Sequence, residues 1–265
     1  MIELSPDTFD KTRSVFEGIE LYTPLPYCVI ERNQPGRIFA DNVANPRAAL
    51  VCQQSGYYYA GGDSEEFADA LEGRLFSEIG LDRFELSVTP GFWEARMKTF
   101  MGDRSAPYQM YSYRLNENTF RQNSARLARL PSGCRLERID ESHVNLVTQN
   151  PRMGILAFWN SLKEFVDKGL GICLFEGEEL ASWCLTSFVG DGKCDVSLQS
   201  VEKFRRRGYA TLATAAFVES CIEDGLTPVW HTTVGNAASD NIAQRMGFEL
   251  IGEFTMYSIE RESVE

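Results

Sequence analysis

One stretch constrains this chain more than any other. A β-prone run ends at Val201, a basic turn follows (Arg205-Arg206-Arg207-Gly208-Tyr209-Ala210-Thr211), and a helical pattern starts at once. Ala213, Phe217 and Cys221 share one face over Ala210–Asp224, and Gly225 stops the pattern. The first N–H groups of a helix have no partner inside it, and the helix dipole adds about half a positive charge there. A strand, a short turn and an immediate helix therefore make a physical device for holding a diphosphate. Gly208 lets the backbone approach closely, Ala210 keeps the first turn free of bulk and Thr211 adds a hydroxyl. Arg205, Arg206 and Arg207 bring mobile positive charge to a chain of net charge −12. The same residues also fit a charged surface turn that caps an ordinary helix. Context favours the anion site, because a strand precedes the turn and a strand and an Asn-bearing short helix follow it. The turn is neither a Walker A loop, lacking Gly-x-x-x-x-Gly-Lys, nor the dinucleotide fingerprint Gly-x-Gly-x-x-Gly.

The rest of the second half frames that turn. A short strand, Arg135–Ile139, is followed by helical segments to about Lys168, among them Trp159–Val166. Gly171–Glu176, Leu180–Phe188 and Cys194–Val201 are predicted strands. Glu176-Gly177-Glu178 and Val189-Gly190-Asp191-Gly192 supply hairpin turns between them, which predicts an antiparallel meander. Beyond the long helix come a strand, Pro228–Thr233, a short helix, Ser239–Met246, closed by Gly247, and a last extended stretch from Phe248 to about Ile259. The first half is mixed α/β as well. Ala48–Gln53 and Tyr57–Ala60 form a strand pair around Ser55-Gly56, and Asp63 stands as N-cap of a helix bearing Phe67, Leu71 and Leu75 that Gly80 stops. Phe84–Thr89 is a strand, Gly91–Met101 a helix and Tyr108–Leu115 a strand. From Asn116 to Cys134 the chain turns polar and basic and ends in Leu130-Pro131-Ser132-Gly133. The domain boundary is placed there, with residues 1–130 as one mixed α/β domain and 131–265 as the second. An exposed helix and loop inside one continuous domain is the other reading of that stretch. No internal repeat is visible.

Charge and cysteine usage exclude several function classes. A surface carrying −12 repels phosphate backbones and anionic membranes and is compatible with an amine-bearing, cationic substrate. The seven cysteines are scattered, with no Cys-x-x-Cys pair and only two histidines beside them, so they are expected to be reduced, mostly buried thiols rather than metal ligands. The N-terminus has no basic segment followed by an apolar one, and no run of about 18 apolar residues occurs, so a cytoplasmic location is expected.

The run Val201-Glu202-Lys203-Phe204-Arg205-Arg206-Arg207-Gly208-Tyr209-Ala210-Thr211 resembles the cofactor motif of the GNAT acetyltransferases, and Asn236 to Gly247-Phe248 resembles their later Asn…Gly-Phe segment. Pro228-x-Trp230, Asn236-x-x-Ser239 and Ala243 are similar, more narrowly, to the zwittermicin A resistance branch. That branch carries an N-terminal domain whose pattern is matched by Asp41, Asn45-Pro46, Tyr57-Tyr58-Tyr59 and Ala60-Gly61. The resemblance implies an α/β (α+β) acyl-CoA N-acyltransferase fold with a mixed, mostly antiparallel sheet in the second half. It also implies acetyl-CoA bound in a V-shaped gap between the strand ending at Val201 and the strand Pro228–Thr233. The pantetheine would pair with backbone near Ser200 and Val201, the pyrophosphate would sit on the N–H groups of Arg206, Arg207, Gly208, Tyr209, Ala210 and Thr211, and Asn236 would lie beside the cofactor arm.

Acetyl transfer from a thioester to an amine needs a neutral amine, stabilisation of an oxyanion and a proton donor for the departing thiolate. Many GNAT enzymes place a tyrosine acid four residues before the Gly-Phe pair; Ala243 occupies that position here. His231 is the only imidazole near the expected gap, and an unperturbed pKa of about 6.5 suits a base near neutrality. Glu202 is the second candidate base, although three arginines beside it favour a solvated ion partner. Ser239 reads as a helix N-cap, and Trp183 and Trp230 as core residues or as walls of an acceptor pocket. The expected function is an acetyl-CoA-dependent N-acetyltransferase acting on the primary amine of a small molecule, with a homodimer left open. The alternative is a non-catalytic acyl-CoA sensor of the same fold.

Overall fold

The structure, a computed structural model, describes residues 1–75, 79, 82–100, 105–127, 129–143, 147 and 154–260. Gly80 as a helix stop, Met101 as a helix end and most of 144–153 within the expected helical run lie outside them. The chain forms two compact units, Met1–Met110 with Glu253–Glu265, and Tyr111–Gly252.

The first unit opens with β1 (Ile2–Glu3), a 3-10 segment over Pro6–Val15 and α1 (Pro24–Ile30). Proline suits a first helical turn, where its missing N–H costs nothing, and every residue of α1 is buried. β2 (Gly36–Ala40), β3 (Ala48–Gln53) and β4 (Tyr57–Gly62) make an antiparallel meander in which Val51 stands opposite Ile38 on one side and Tyr59 on the other. β3 is buried along its whole length, hence its continuous apolar run in place of an alternation. The chain then crosses through α2 (Glu65–Arg74) to β5 (Arg83–Val88), which lies parallel to β4. The cap of α2 is Ser64, whose Oγ accepts Phe67 N at 3.3 Å, where the sequence predicts Asp63. Asp63 is still engaged with the strand's neighbour, its N–H donating to Arg47 O at 3.3 Å. Gly62 makes the exit from β4 at φ +83°, where a Cβ would stand 1.9 Å from Arg47 O. α3 (Phe92–Phe100) and the start of β6 (Ser105–Leu115) follow, and the end of β12 (Phe248–Glu260) pairs antiparallel with β5. Phe67, Leu71, Leu86, Trp93 and Ile259 fill the core.

In the second unit β7 (Cys134–Arg138), β8 (Gly171–Glu176), β9 (Glu179–Gly190) and β10 (Lys193–Ser200) form an antiparallel meander. β11 (Thr227–Thr233) lies parallel to β10, and β6 is its other neighbour. Two short helices, α5 (Ile155–Phe158) and α6 (Leu162–Lys168), are separated by a break over residues 159–161, so the helical segment expected over Trp159–Val166 starts only at Leu162. The break has two causes: Ser161 Oγ caps α6 by accepting Glu164 N at 3.1 Å, and Trp159 Nε1 donates to Thr186 O at 3.3 Å. The polar run after Asn116 begins as α4 (Glu117–Ser124), capped by Asn116 Oδ1 on Thr119 N at 3.1 Å. It packs against Gly247, where a Cβ would come within 2.6 Å of Phe120 N. The compact units part inside β6 and β12. α7 (Tyr209–Glu223) connects β10 to β11, and α8 (Ala237–Arg245) connects β11 to β12.

One element order runs through the chain twice. Strand, helical segments, three antiparallel strands, helix, strand, helix and strand lead from β1 to β6 and again from β7 to β12. The ladders repeat as well, antiparallel as far as β4 and β10 and then parallel to β5 and β11. The repeat that the sequence does not display thus lies in hydrogen-bond topology, not in residue identity.

Candidate active site

β10 and β11 pair only over Lys193–Asp195 and Thr227–Val229, although they run on to Ser200 and Thr233. Among the described residues their ladder ends there, and the two strands part into a gap. Antiparallel strands turn alternate residues' backbone groups toward alternate neighbours. Val201 N donates to Ala181 O at 3.0 Å, so Val201 faces β9 and its amide is consumed, while the backbone groups of Ser200 and Leu198 face the gap. The Ser200 side chain lies against Ser182, Oγ to Oγ at 2.9 Å.

Past the gap the chain makes a short 3-10 turn over Glu202–Phe204 and enters α7 through Gly208, which is left-handed at φ +82° and ψ 1°. Arg206 is also left-handed at φ +62°. Side chains cap α2, α4, α6 and α8, whereas α7 starts without a side-chain cap. Its first intrahelical bond is Leu212 N to Gly208 O at 3.2 Å, so the amides of Tyr209, Ala210 and Thr211 precede the ladder. A Cβ on Gly208 would meet nothing within 4 Å, so the space above the helix start is open. Arg205 and Arg206 are exposed. Arg207 is not the mobile charge expected of it: its guanidinium holds Glu176, at the end of β8, through two bonds of 2.5 and 2.6 Å and lies 4.8 Å over the Tyr209 ring. Tyr209 Oη donates to the same carboxylate at 2.8 Å. Arg207 and then Tyr209 hold the Glu176 carboxyl below the usual carboxylate range. These contacts brace the turn, and Phe204, Tyr209 and Ala213 anchor it in the core beneath.

His231 stands at the apex of the gap. Cys194 Sγ lies 3.5 Å from Cys221 Sγ of α7, so Cys194 and its partner Pro228 face that helix, as does Trp230 two residues on. Asp195, Val229 and His231 face the other way. There His231 Nδ1 meets Asp195 Oδ1 at 2.7 Å, with the two side chains 3% and 10% exposed. Ser187 Oγ donates to Asp195 Oδ2 and to Asp195 O, both at 3.2 Å. Asp195 and Ser187, which sequence reasoning does not single out, are the residues the fold brings to His231. A charged residue inside the apolar run Cys194–Leu198 was the available signal, since carboxylates are seldom buried without a partner.

Other expected site residues are placed elsewhere. Asn236, not Ser239, is the N-cap of α8, its Oδ1 accepting Ser239 N at 3.3 Å. Ser239 Oγ accepts Trp230 Nε1 at 2.9 Å, which fixes Trp230 against α8 and away from His231. Ala243 is fully buried. Trp183 stands opposite Gln199 on β10, and Glu202 is exposed. All seven cysteines are free thiols, with Cys134 alone partly exposed. No helix among the described residues is long and apolar enough to cross a membrane.

Residues 13–257 match the family described as GNAT acetyltransferase. The chain is similar to an uncharacterised N-acetyltransferase of Bacillus subtilis, YdfB, at 25% identity over 259 residues, 96% of this chain and 97% of that one. Among solved structures it is similar to a GCN5-related N-acetyltransferase-like protein from Streptococcus suis, at 16% identity and a TM-score of 0.74 over 96% of this chain and 99% of that one. A tandem GNAT protein from the clavulanic acid biosynthesis pathway matches at 11% identity with a TM-score of 0.67, over 100% and 99%. At these identities the two structures establish the fold.

Proposed function

The chain belongs to the GNAT acetyltransferase family, and on that premise we propose that it transfers the acetyl group of acetyl-CoA to the primary amine of a small molecule. The observation that carries this reading is the parting of β10 and β11 after Asp195 and Val229, with the bare helix start of α7 at one end of the gap and His231 at its apex. The residues present fit acetyl-CoA: an open space over Gly208, a helix start without a side-chain cap, two exposed arginines and gap-facing backbone groups at Leu198 and Ser200. The pyrophosphate falls to the amides of Tyr209, Ala210 and Thr211 and to Arg206, with Gly208 keeping the approach clear, while Arg207 serves by bracing the turn. Asn236 contributes by starting α8 next to the end of β11.

Acetyl-CoA supplies a thioester carbonyl. The chain supplies the rest: backbone amides along β10 that hold the acyl arm, and an imidazole at His231 that takes the proton the amine loses as it bonds to the acyl carbon. Ser197 and Gln199 share the strand face of Asp195, two and four positions on, and favour a polar acceptor that can accept and donate hydrogen bonds. The narrower kinship with the zwittermicin A resistance branch would make an amino-bearing antibiotic a candidate acceptor. The compartment we assign is the cytoplasm, where acetyl-CoA is made available and thiols stay reduced.

Full burial of Ala243 at the position of the expected acid favours a second reading, a sensor that binds acyl-CoA without turning it over. Release of free thiol separates the two. Purified protein given acetyl-CoA and a panel of amines should liberate CoA with at least one of them; tight acetyl-CoA binding with no thiol released from any would establish the sensor instead.

A further inference from the structure

We propose that Asp195 is a positioning residue that fixes His231 as its Nδ1–H tautomer, and that Ser187 and a β-bulge hold Asp195 in place to do so. The inference rests on the acyl-transfer reading of the gap but concerns groups which that reading leaves unassigned.

The bulge comes first. Val189 pairs with Cys194 and Thr186 with Val196, so Ser187 and Phe188 of β9 stand opposite the single residue Asp195 of β10. An extra residue in one strand re-aims side chains beside it. Here it brings Ser187 Oγ onto Asp195 twice, at the backbone oxygen and at Oδ2, both at 3.2 Å. One carboxylate oxygen is thereby engaged, and the other points across the ladder's last rung to His231 Nδ1 at 2.7 Å.

The chemistry follows from what each group can do. An ionised carboxylate only accepts, so Nδ1 must carry the hydrogen, and in the neutral ring the basic lone pair is directed to Nε2. When the acceptor amine forms its bond to the acyl carbon, its N–H proton passes to Nε2. The ring becomes an imidazolium whose charge is met by the Asp195 carboxylate, which keeps accepting from Nδ1. The sulfur leaves with the electron pair of the broken C–S bond. Placement suits the role: Asp195 is the last residue of β10 paired with β11, and His231 lies two beyond Val229, the first residue of that strand face past the end of the ladder. A pair serving only to tie the strands together would fix the same tautomer, so loss of kcat at unchanged acetyl-CoA affinity is the readout that separates the two roles.

The chain has two histidines, so long-range proton–nitrogen NMR on histidine-labelled protein reads His231 with only His143 beside it. His143 is identified by its own substitution, His143→Gln. Wild type should show His231 with a protonated Nδ1 and a pyridine-type Nε2. Asp195→Asn, which can turn an amide N–H toward Nδ1, should shift the ring to the opposite tautomer and lower kcat by about 100-fold, within the usual span for a general base. The Kd for acetyl-CoA should stay within about two-fold, because the diphosphate turn is untouched. Ser187→Ala, a milder change that keeps the charge, should give a mixed tautomer and about a ten-fold loss in kcat. A wild-type ring protonated at Nε2, or an Asp195→Asn protein that keeps both the tautomer and kcat, overturns the proposal. If wild type turns over no amine, the acyl-transfer reading fails while the tautomer still decides whether Asp195 orients His231. If Asp195→Asn does not fold, Ser187→Ala decides it by the same two readouts.

Discussion

Gly208 sits at φ +82°, and a side chain there would meet nothing within 4 Å. Its requirement is therefore backbone conformation, with the empty space left to the ligand. Gly208→Asp should raise the Kd for acetyl-CoA by about 100-fold, equivalent to about 2.7 kcal/mol, as measured by calorimetry. Strain of about 1–2 kcal/mol from the left-handed angle should appear in urea unfolding. The neighbouring Glu176–Arg207 pair makes a pH prediction. Its carboxyl is held below the ordinary carboxylate range, chiefly by Arg207. The contribution to stability is thus complete above the unfolded value of about 4.3 and fades as pH falls through the lowered folded value. Unfolding midpoints of wild type and Arg207→Leu should differ by a constant, small amount from pH 7 to about pH 5 and converge below. The turn around Gly208 is legible in sequence because its chemistry is local: one glycine, three arginines and a helix pattern. Asp195 is not, because its partner lies 36 positions away and only the ladder between β10 and β11 brings them together.

At the scale of elements, glycine-punctuated strands are the part that sequence resolves well. Gly171–Glu176 is read with the bounds it has, and β9, β10, β11 and β12 come within two residues of theirs. Elements with no solvent face are the part that it does not resolve. α1 is buried on every side and shows no helical periodicity. The helix expected over Trp159–Val166 starts only at Leu162 because an indole N–H finds a carbonyl on β9, a tertiary bond with no local signature. α8 carries the clearest consequence. Asn236 caps it and Ser239 ties it to Trp230. Asn236→Ala should cost about 1 kcal/mol of stability in urea unfolding while changing acetyl-CoA affinity by less than about three-fold. A larger loss of affinity at unchanged stability would establish the cofactor contact expected from sequence.

At the scale of the molecule, one element order appears twice, and among the described residues only the second copy's parallel ladder ends well before its strands do. β4 and β5 stay paired from Tyr57 with Glu85 to Ala60 with Val88, and α2 begins two residues after β4 under a serine cap. The counterpart ladder, β10 with β11, stops after three pairs and is followed by the open, uncapped start of α7. The first copy thus has neither the parted strands nor the bare helix start. Calorimetric titration should give one acetyl-CoA per chain, bound about 100-fold more weakly in Gly208→Asp; two sites, or one whose affinity survives that change, would locate binding in the first unit. The order of the strands has a further result. The last residues of β12 serve β5, while β6 serves β11, so each repeat lends its final strand to the other's ladder. The first unit is therefore built from both ends of the sequence, and a cut at residues 130/131 parts β5 from its partner segment of β12. Fragments 1–130 and 131–265 made separately should each be insoluble through an exposed sheet edge, whereas the same two polypeptides made in one cell should reassemble and recover acetyl-CoA binding.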